Sequence, residues 1–229
     1  MNIKKNFNTM TWVLIPVAIA INVVVGQVVL TLKLPVFLDS IGTVLVAVVC
    51  GPWAGALTGL LSNLIWGLAI DPNALPWWPV ATMIGLVAGL AGQWGLFRSA
   101  WMVVVAGLLI AVTAALASTP IAVYLYGGIT ASGISFVTAY LMQTGVDMVS
   151  AVLSANFIVE PVDKITTSLL AFSILQGLSA RYLARFPYPE NASSDKAGKT
   201  GLWVALVLVV ALLAFALYGM EPLKALLGA

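Results

Sequence analysis

The sequence predicts an all-α integral membrane protein, a six-helix transmembrane bundle followed by one extra C-terminal transmembrane helix. Three observations carry this expectation. Of the 229 residues, 62% are hydrophobic and 8% charged, whereas soluble domains carry about 25% charged residues. Apolar runs of spanning or near-spanning length recur at about 11–31, 38–50, 53–70, 79–97, 101–125, 164–184 and 202–219. With a cytoplasmic N-terminus and an alternating path, Lys4, Lys5, Arg98, Arg181, Arg185, Lys196 and Lys199 lie inside, and only Lys33, Lys164 and Lys224 outside. That asymmetry obeys the positive-inside rule.

The first run, about Met10 to Leu30, has no small-residue cleavage site before it ends, so it is read as retained. The second, 38–50, falls short of the ~20 residues a span needs and has to end inside the protein. Gly51, Gly55 and Gly59 recur at i, i+4 and i+8 across the start of the third run, and Gly85 and Gly89 repeat the spacing in the fourth. Such small-residue faces let helices approach closely in lipid.

Between the fifth and sixth runs, residues 126–162 read as a long outer loop. Tyr140, Gln143, Thr144, Asp147, Ser150 and Ser154 fall on one helical stripe within it, so the loop is expected to hold an amphipathic helix. Counting 133–159 as an eighth span instead would move four basic residues outside and break the charge rule. The bundle is therefore assigned to 1–186, a solvated cytoplasmic linker to 187–201, and an appended helix with an outer tail to 202–229.

Composition narrows the function classes. The chain has no histidine and one cysteine, Cys50, so no disulfide within the chain and no His or Cys metal site is expected. Bare nickel or cobalt ions, which prefer imidazole or thiolate ligands, are disfavoured. No basic cluster points to nucleic acid. No catalytic motif or phosphate-cradling loop occurs, so neither an enzyme nor a cofactor is expected.

Polar residues that lipid would penalise gather toward the outer side. Asn22 and Gln27 occupy the outer half of the first run, and Asp39 and Thr43 the start of the second. Asn63 and Trp66 close the third, Trp77 and Trp78 open the fourth, and Lys164 opens the sixth. With Tyr140, Gln143 and Asp147 from the loop stripe, they form a candidate site for a small, flat, hydrogen-bonding ligand. Simpler readings stand beside this one. Asp39 caps its helix, the tryptophans form an interfacial belt, or Lys164 pairs with Glu160 one turn earlier.

Leu34-Pro35-Val36-Phe37-Leu38-Asp39-Ser40-Ile41-Gly42-Thr43, Gly51-Pro52-Trp53-Ala54-Gly55-Ala56, Leu61-Ser62-Asn63-Leu64 and Glu160-Pro161-Val162-Asp163-Lys164 together resemble the substrate-binding S components of energy-coupling factor (ECF) transporters. The resemblance covers about residues 10–186. It implies a prokaryotic plasma-membrane protein that captures a vitamin-like or heteroaromatic micronutrient from outside. Delivery inward would use a transmembrane T component and two cytoplasmic ATPases. The family's Ala-x-x-x-Ala docking pattern on the first helix has its nearest counterpart in Ala18 and Ala20, with Asn22 standing where the second alanine would fall. The extra C-terminal helix departs from the usual six. A competing class is a membrane sensor or assembly module that carries no solute.

Overall fold

The structure, a computed structural model, describes residues 3–192 together with 203, 206–211, 214 and 218. Among the described residues the regular structure is entirely helical: α1 (Thr9–Thr31), α2 (Ile41–Cys50), α3 (Pro52–Ala69), α4 (Trp78–Gln93), α5 (Ala100–Tyr126), α6 (Ser135–Gln143), α7 (Met148–Gly177) and α8 (Ala180–Leu183). Short 3-10 turns at Ile3–Asn6, Pro72–Trp77 and Pro189–Asn191 complete it. Three stretches, Thr9–Thr31, Pro72–Gln93 and Ala100–Tyr126, are long and apolar enough to cross a membrane. This is compatible with a membrane location. Helices α3 and α7 have the length but also carry polar groups, including Ser62 and Asn63 in one and Glu160, Asp163 and Lys164 in the other.

Helix α2 is the centre of the molecule. All of its residues from Ile41 to Cys50 are buried, and it packs against α1, α3, α4 and α7. A ten-residue helix is too short to cross a bilayer, but here its ends meet protein. Hydrophobic all round, it reads as a core helix should.

Close helix approach is set by glycine. A Cβ on Gly55 would sit 2.8 Å from the Gly85 carbonyl oxygen, and one on Gly59 would sit 2.1 Å from that of Ala81. The α3–α4 contact therefore needs glycine at both positions. Gly51 does not share that face. It lies between α2 and α3 with φ +97, a left-handed conformation that favours glycine, and its neighbours are the Asn6 and Tyr188 side chains.

The segment 126–162 differs from the expected loop. Helix α6 ends at Gln143, Gly145 turns the chain with φ +90, and α7 begins at Met148. Asp147 is its N-cap, accepting the Ser150 N–H at 3.0 Å. Tyr140 and Gln143 thus belong to one helix and Ser150 and Ser154 to another, so the single stripe over 140–154 is broken. Helix α7 then runs on through Pro161 to Gly177. A proline removes one N–H from the ladder, but burial of Ala155, Asn156, Val159, Glu160, Asp163 and Lys164 holds the helix on both sides, with α5 as its main partner. The sixth apolar run accordingly starts earlier than 164. It breaks at Leu178 before the short α8.

Residues 187–192, expected to begin a solvated linker, are tied to the end of α2. The Tyr188 N–H donates to the Val49 carbonyl at 2.9 Å and Asn191 Nδ2 to that of Val48 at 3.0 Å. Gln176 Nε2 donates to the Ala192 carbonyl at 3.0 Å. The last carbonyls of a buried helix need partners, and this strap supplies them. The remainder of the linker, 193–201, lies outside the described residues. So does most of the 202–229 segment, whose described residues are helical, with Val209 buried in the main core.

Candidate functional site

Polar side chains inside the helical assembly form two groups. The first is a knot. Asn22 on α1 donates from Nδ2 to Thr43 Oγ1 on α2 at 2.8 Å and to Ser62 Oγ on α3 at 2.9 Å, and its Oδ1 accepts the Gly42 N–H at 2.7 Å. Both amide hydrogens and the oxygen are used, and Asn22 is fully buried. The same region forces small residues together, since a Cβ on Gly42 would lie 2.1 Å from the Ala18 carbonyl oxygen. Asn22 and Thr43 thus join three helices. Neither lines the cavity that Asp39 and Lys164 face.

The second group faces a cavity of about 130 Å³, many times the roughly 10–15 Å³ that one water needs by that measure. Its walls come from α1, the α1–α2 segment, α3, the 3-10 turn at 72–77, α4, α5, the 128–134 segment, α6 and α7. Asp39, Asn63, Trp66 and Lys164 of the predicted site line it. Gln27 stands behind them, its Oε1 accepting the Trp66 indole N–H at 2.8 Å and so fixing that ring. Trp78, Tyr140, Gln143 and Asp147 do not line the cavity. Trp78 is exposed; its neighbour Trp77 turns inward instead and stacks on Tyr126, centroids 5.5 Å apart. The Ser150 N–H holds the exposed Asp147 carboxyl below the usual carboxylate range, as an N-cap bond should.

Four charged groups meet at one side of the cavity: Asp39, Glu160 and Lys164 line it, and Asp163 lies buried beside them. Lys164 Nζ pairs tightly with Asp163, and lies 3.6 Å from Glu160 and 3.8 Å from Asp39. Asp163 is completely used. Its other oxygen accepts the backbone N–H groups of Phe37 and Leu38, each at 2.8 Å, which latches the α1–α2 segment to α7. Leu38 has φ +51, an uncommon backbone that this latch helps to hold. Asp39 does not cap α2. The N-cap is Ser40, without a side-chain cap bond, and Ser40 donates its hydroxyl to Asp39 at 2.7 Å. Glu160 Oε2 is buried without a hydrogen-bond partner among the described residues.

Sequence reasoning missed Tyr126, Asn156 and Glu160 as lining residues. For two of them a signal existed. Asn156, Glu160 and Lys164 recur every four residues, which places them on one helix face. Asn156 is oriented from α5, donating to Thr119 Oγ1 at 3.0 Å. Trp77 and Tyr126 are far apart in sequence, and only the fold brings their rings together. The expected docking pair is divided: Ala18 is buried against α2, while Ala20 is exposed on the outer face of α1. No protein-family profile, curated protein or solved structure matches this chain.

Proposed function

We propose that this protein is the membrane substrate-capture subunit of an ECF-type importer. It binds a small heteroaromatic, vitamin-like solute in the cavity and passes it inward with a T component and two ATPases. The observation that carries this reading is the cavity itself: aromatic walls from Phe37, Trp66, Trp77 and Tyr126 enclose a few polar groups fixed by their neighbours. Flat ligands need that combination of stacking area and sparse, oriented hydrogen bonds. The end of the molecule bearing Asp39 and Asn73 faces outward in this reading, and the end bearing Arg98 and Arg185 faces the cytoplasm, in line with the basic inner segments. The six-helix bundle consists of α1 to α5 and α7, with α6 as a cover over the mouth. Ala20, on the exposed face of α1, is the member of the docking pair left available to a T component.

Two measurements test it. A native mass spectrum of gently purified protein is expected to show a co-purified small molecule. Cells expressing the chain with a T component and ATPases are expected to accumulate that molecule. Binding without accumulation would favour the sensor reading; absence of both would sink the capture role. Topology is checked by labelling single-cysteine variants in a Cys50→Ser background: Asn73→Cys from outside and Arg98→Cys from inside.

A further inference from the structure

We infer that the cavity selects a ligand with a cationic nitrogen, seated between Glu160 and Asp39. The inference rests on reading the cavity as a solute site, and adds the charge of what enters it. Three carboxylates, Asp39, Glu160 and Asp163, surround the single ammonium of Lys164. That ammonium is committed to Asp163, and its distances of 3.6 and 3.8 Å to the other two exceed good hydrogen-bond reach. Asp163 is saturated by Lys164 and two backbone N–H groups. The wall is thus left with two carboxylates and too few donors.

Glu160 is the decisive group. Its side chain is only 4% exposed, it lines the cavity, and its Oε2 has no hydrogen-bond partner among the described residues. A buried acceptor without a donor is the exception in folded proteins and asks for a partner from outside the chain. Asp39, with its side chain 28% exposed, receives one hydroxyl and faces the same space. An anionic ligand would meet the acidic groups of Glu160 and Asp39 beside a cation already neutralised by Asp163. A metal ion fits poorly too: the Lys164 ammonium stands among the three carboxylates, and among the described residues they are not arranged to hold a metal ion. An organic cation suits both features of the site, since carboxylates bind it by charge-assisted hydrogen bonds and the faces of Trp66, Trp77 and Tyr126 attract it.

Benzamidinium, benzamide and benzoate share a ring and differ in charge, so they serve as probes. With the purified full-length chain in detergent, benzamidinium is expected to raise the melting temperature and benzoate to leave it unchanged, with benzamide weaker than benzamidinium. Glu160→Gln is expected to weaken benzamidinium binding about tenfold or more, as loss of one charge-assisted hydrogen bond implies. Asp39→Asn provides the second reading should Glu160→Gln fold poorly, with a smaller loss expected because Asp39 is partly hydrated. Benzoate equal to or better than benzamidinium overturns the inference, as does silence from all three probes or unchanged benzamidinium affinity in both variants. A co-purified solute that is neutral or anionic also overturns it and leaves the capture role standing. Benzamidinium bound through Glu160 in a chain that supports no uptake supports it and removes the capture role alone.

Discussion

The knot at Asn22 and the wall at Lys164 are both polar islands in an apolar molecule, and they are built by opposite rules. At the knot each donor and acceptor of the Asn22 amide is matched by a neighbour from another helix. At the wall the charges do not balance, and one carboxylate oxygen has an ion-pair contact at 3.6 Å but no hydrogen-bond partner among the described residues. Buried polarity that is satisfied fixes how helices meet. Buried polarity left unsatisfied, facing space, is retained at the expense of stability and points to a ligand. The two groups are thus told apart by hydrogen-bond accounting, since burial is nearly the same for both.

The contrast is broken most forcefully at Asp163, which joins the wall through Lys164 and is satisfied in its bonding as the knot is. Asp163→Ala strips Lys164 of its close partner and two backbone N–H groups of their acceptor. A loss of roughly 3–5 kcal/mol is expected, the range for removing one member of a buried pair, read as a lowered midpoint in detergent unfolding. A loss under about 1 kcal/mol would mean that the latch does not hold the α1–α2 segment. Asn22→Ala comes next, at about 2–3 kcal/mol for several orphaned polar groups, with affinity per folded molecule unchanged because Asn22 does not touch the cavity. A selective loss of ligand binding there would erase the distinction between the regions.

Glu160→Gln sharpens the contrast from the other side. Lys164 keeps Asp163 as its close partner, so no buried charge is left uncompensated, and the change in stability is expected to be less than about 1 kcal/mol or favourable, while binding falls. The smallest effect is expected at Asp147. Its carboxyl titrates below the usual range because the Ser150 N–H favours the charged form. A depressed folded pKa contributes stability above the unfolded pKa, and that contribution is lost as pH falls through the folded value. Acidification should therefore loosen only the first turn of α7, seen as faster amide exchange at Ser150, and Asp147→Asn should make that turn less pH-sensitive.

Much of the helix layout was legible because apolar runs and turn residues are local signals. Residues 9–31, 78–93 and 100–126 follow the runs closely. Gly145 and the Asp147 N-cap, which divide α6 from α7, were equally local but masked by a polar periodicity that continues across them. A proline commonly ends a helix, but Pro161 is carried through inside α7 by packing against α5. For the site, Asp39, Asn63, Trp66 and Lys164 were identified because polar groups in apolar runs stand out. Trp77 and Trp78 stood together as candidates, and only Trp77 lines the cavity, because which of two neighbours turns inward at a helix start cannot be read from composition.

By itself the sequence determined the helical class, the apolar runs of α1, α4 and α5, the glycine faces of α3 and α4, and the list of polar residues that demanded partners. These follow from local chemistry: residue hydropathy, the 3.6-residue period and the absence of a Cβ. Only the tertiary structure decided which polar residue met which. It closed Asn22 onto Thr43 and Ser62, spent Asp163 on Lys164 and two backbone amides, and left Glu160 ion-paired to Lys164 but with its Oε2 short of a hydrogen bond beside the cavity. Hydrogen bonding is short-ranged and directional, so whether a buried polar group is satisfied depends on atoms remote in sequence, and that separates scaffold from site.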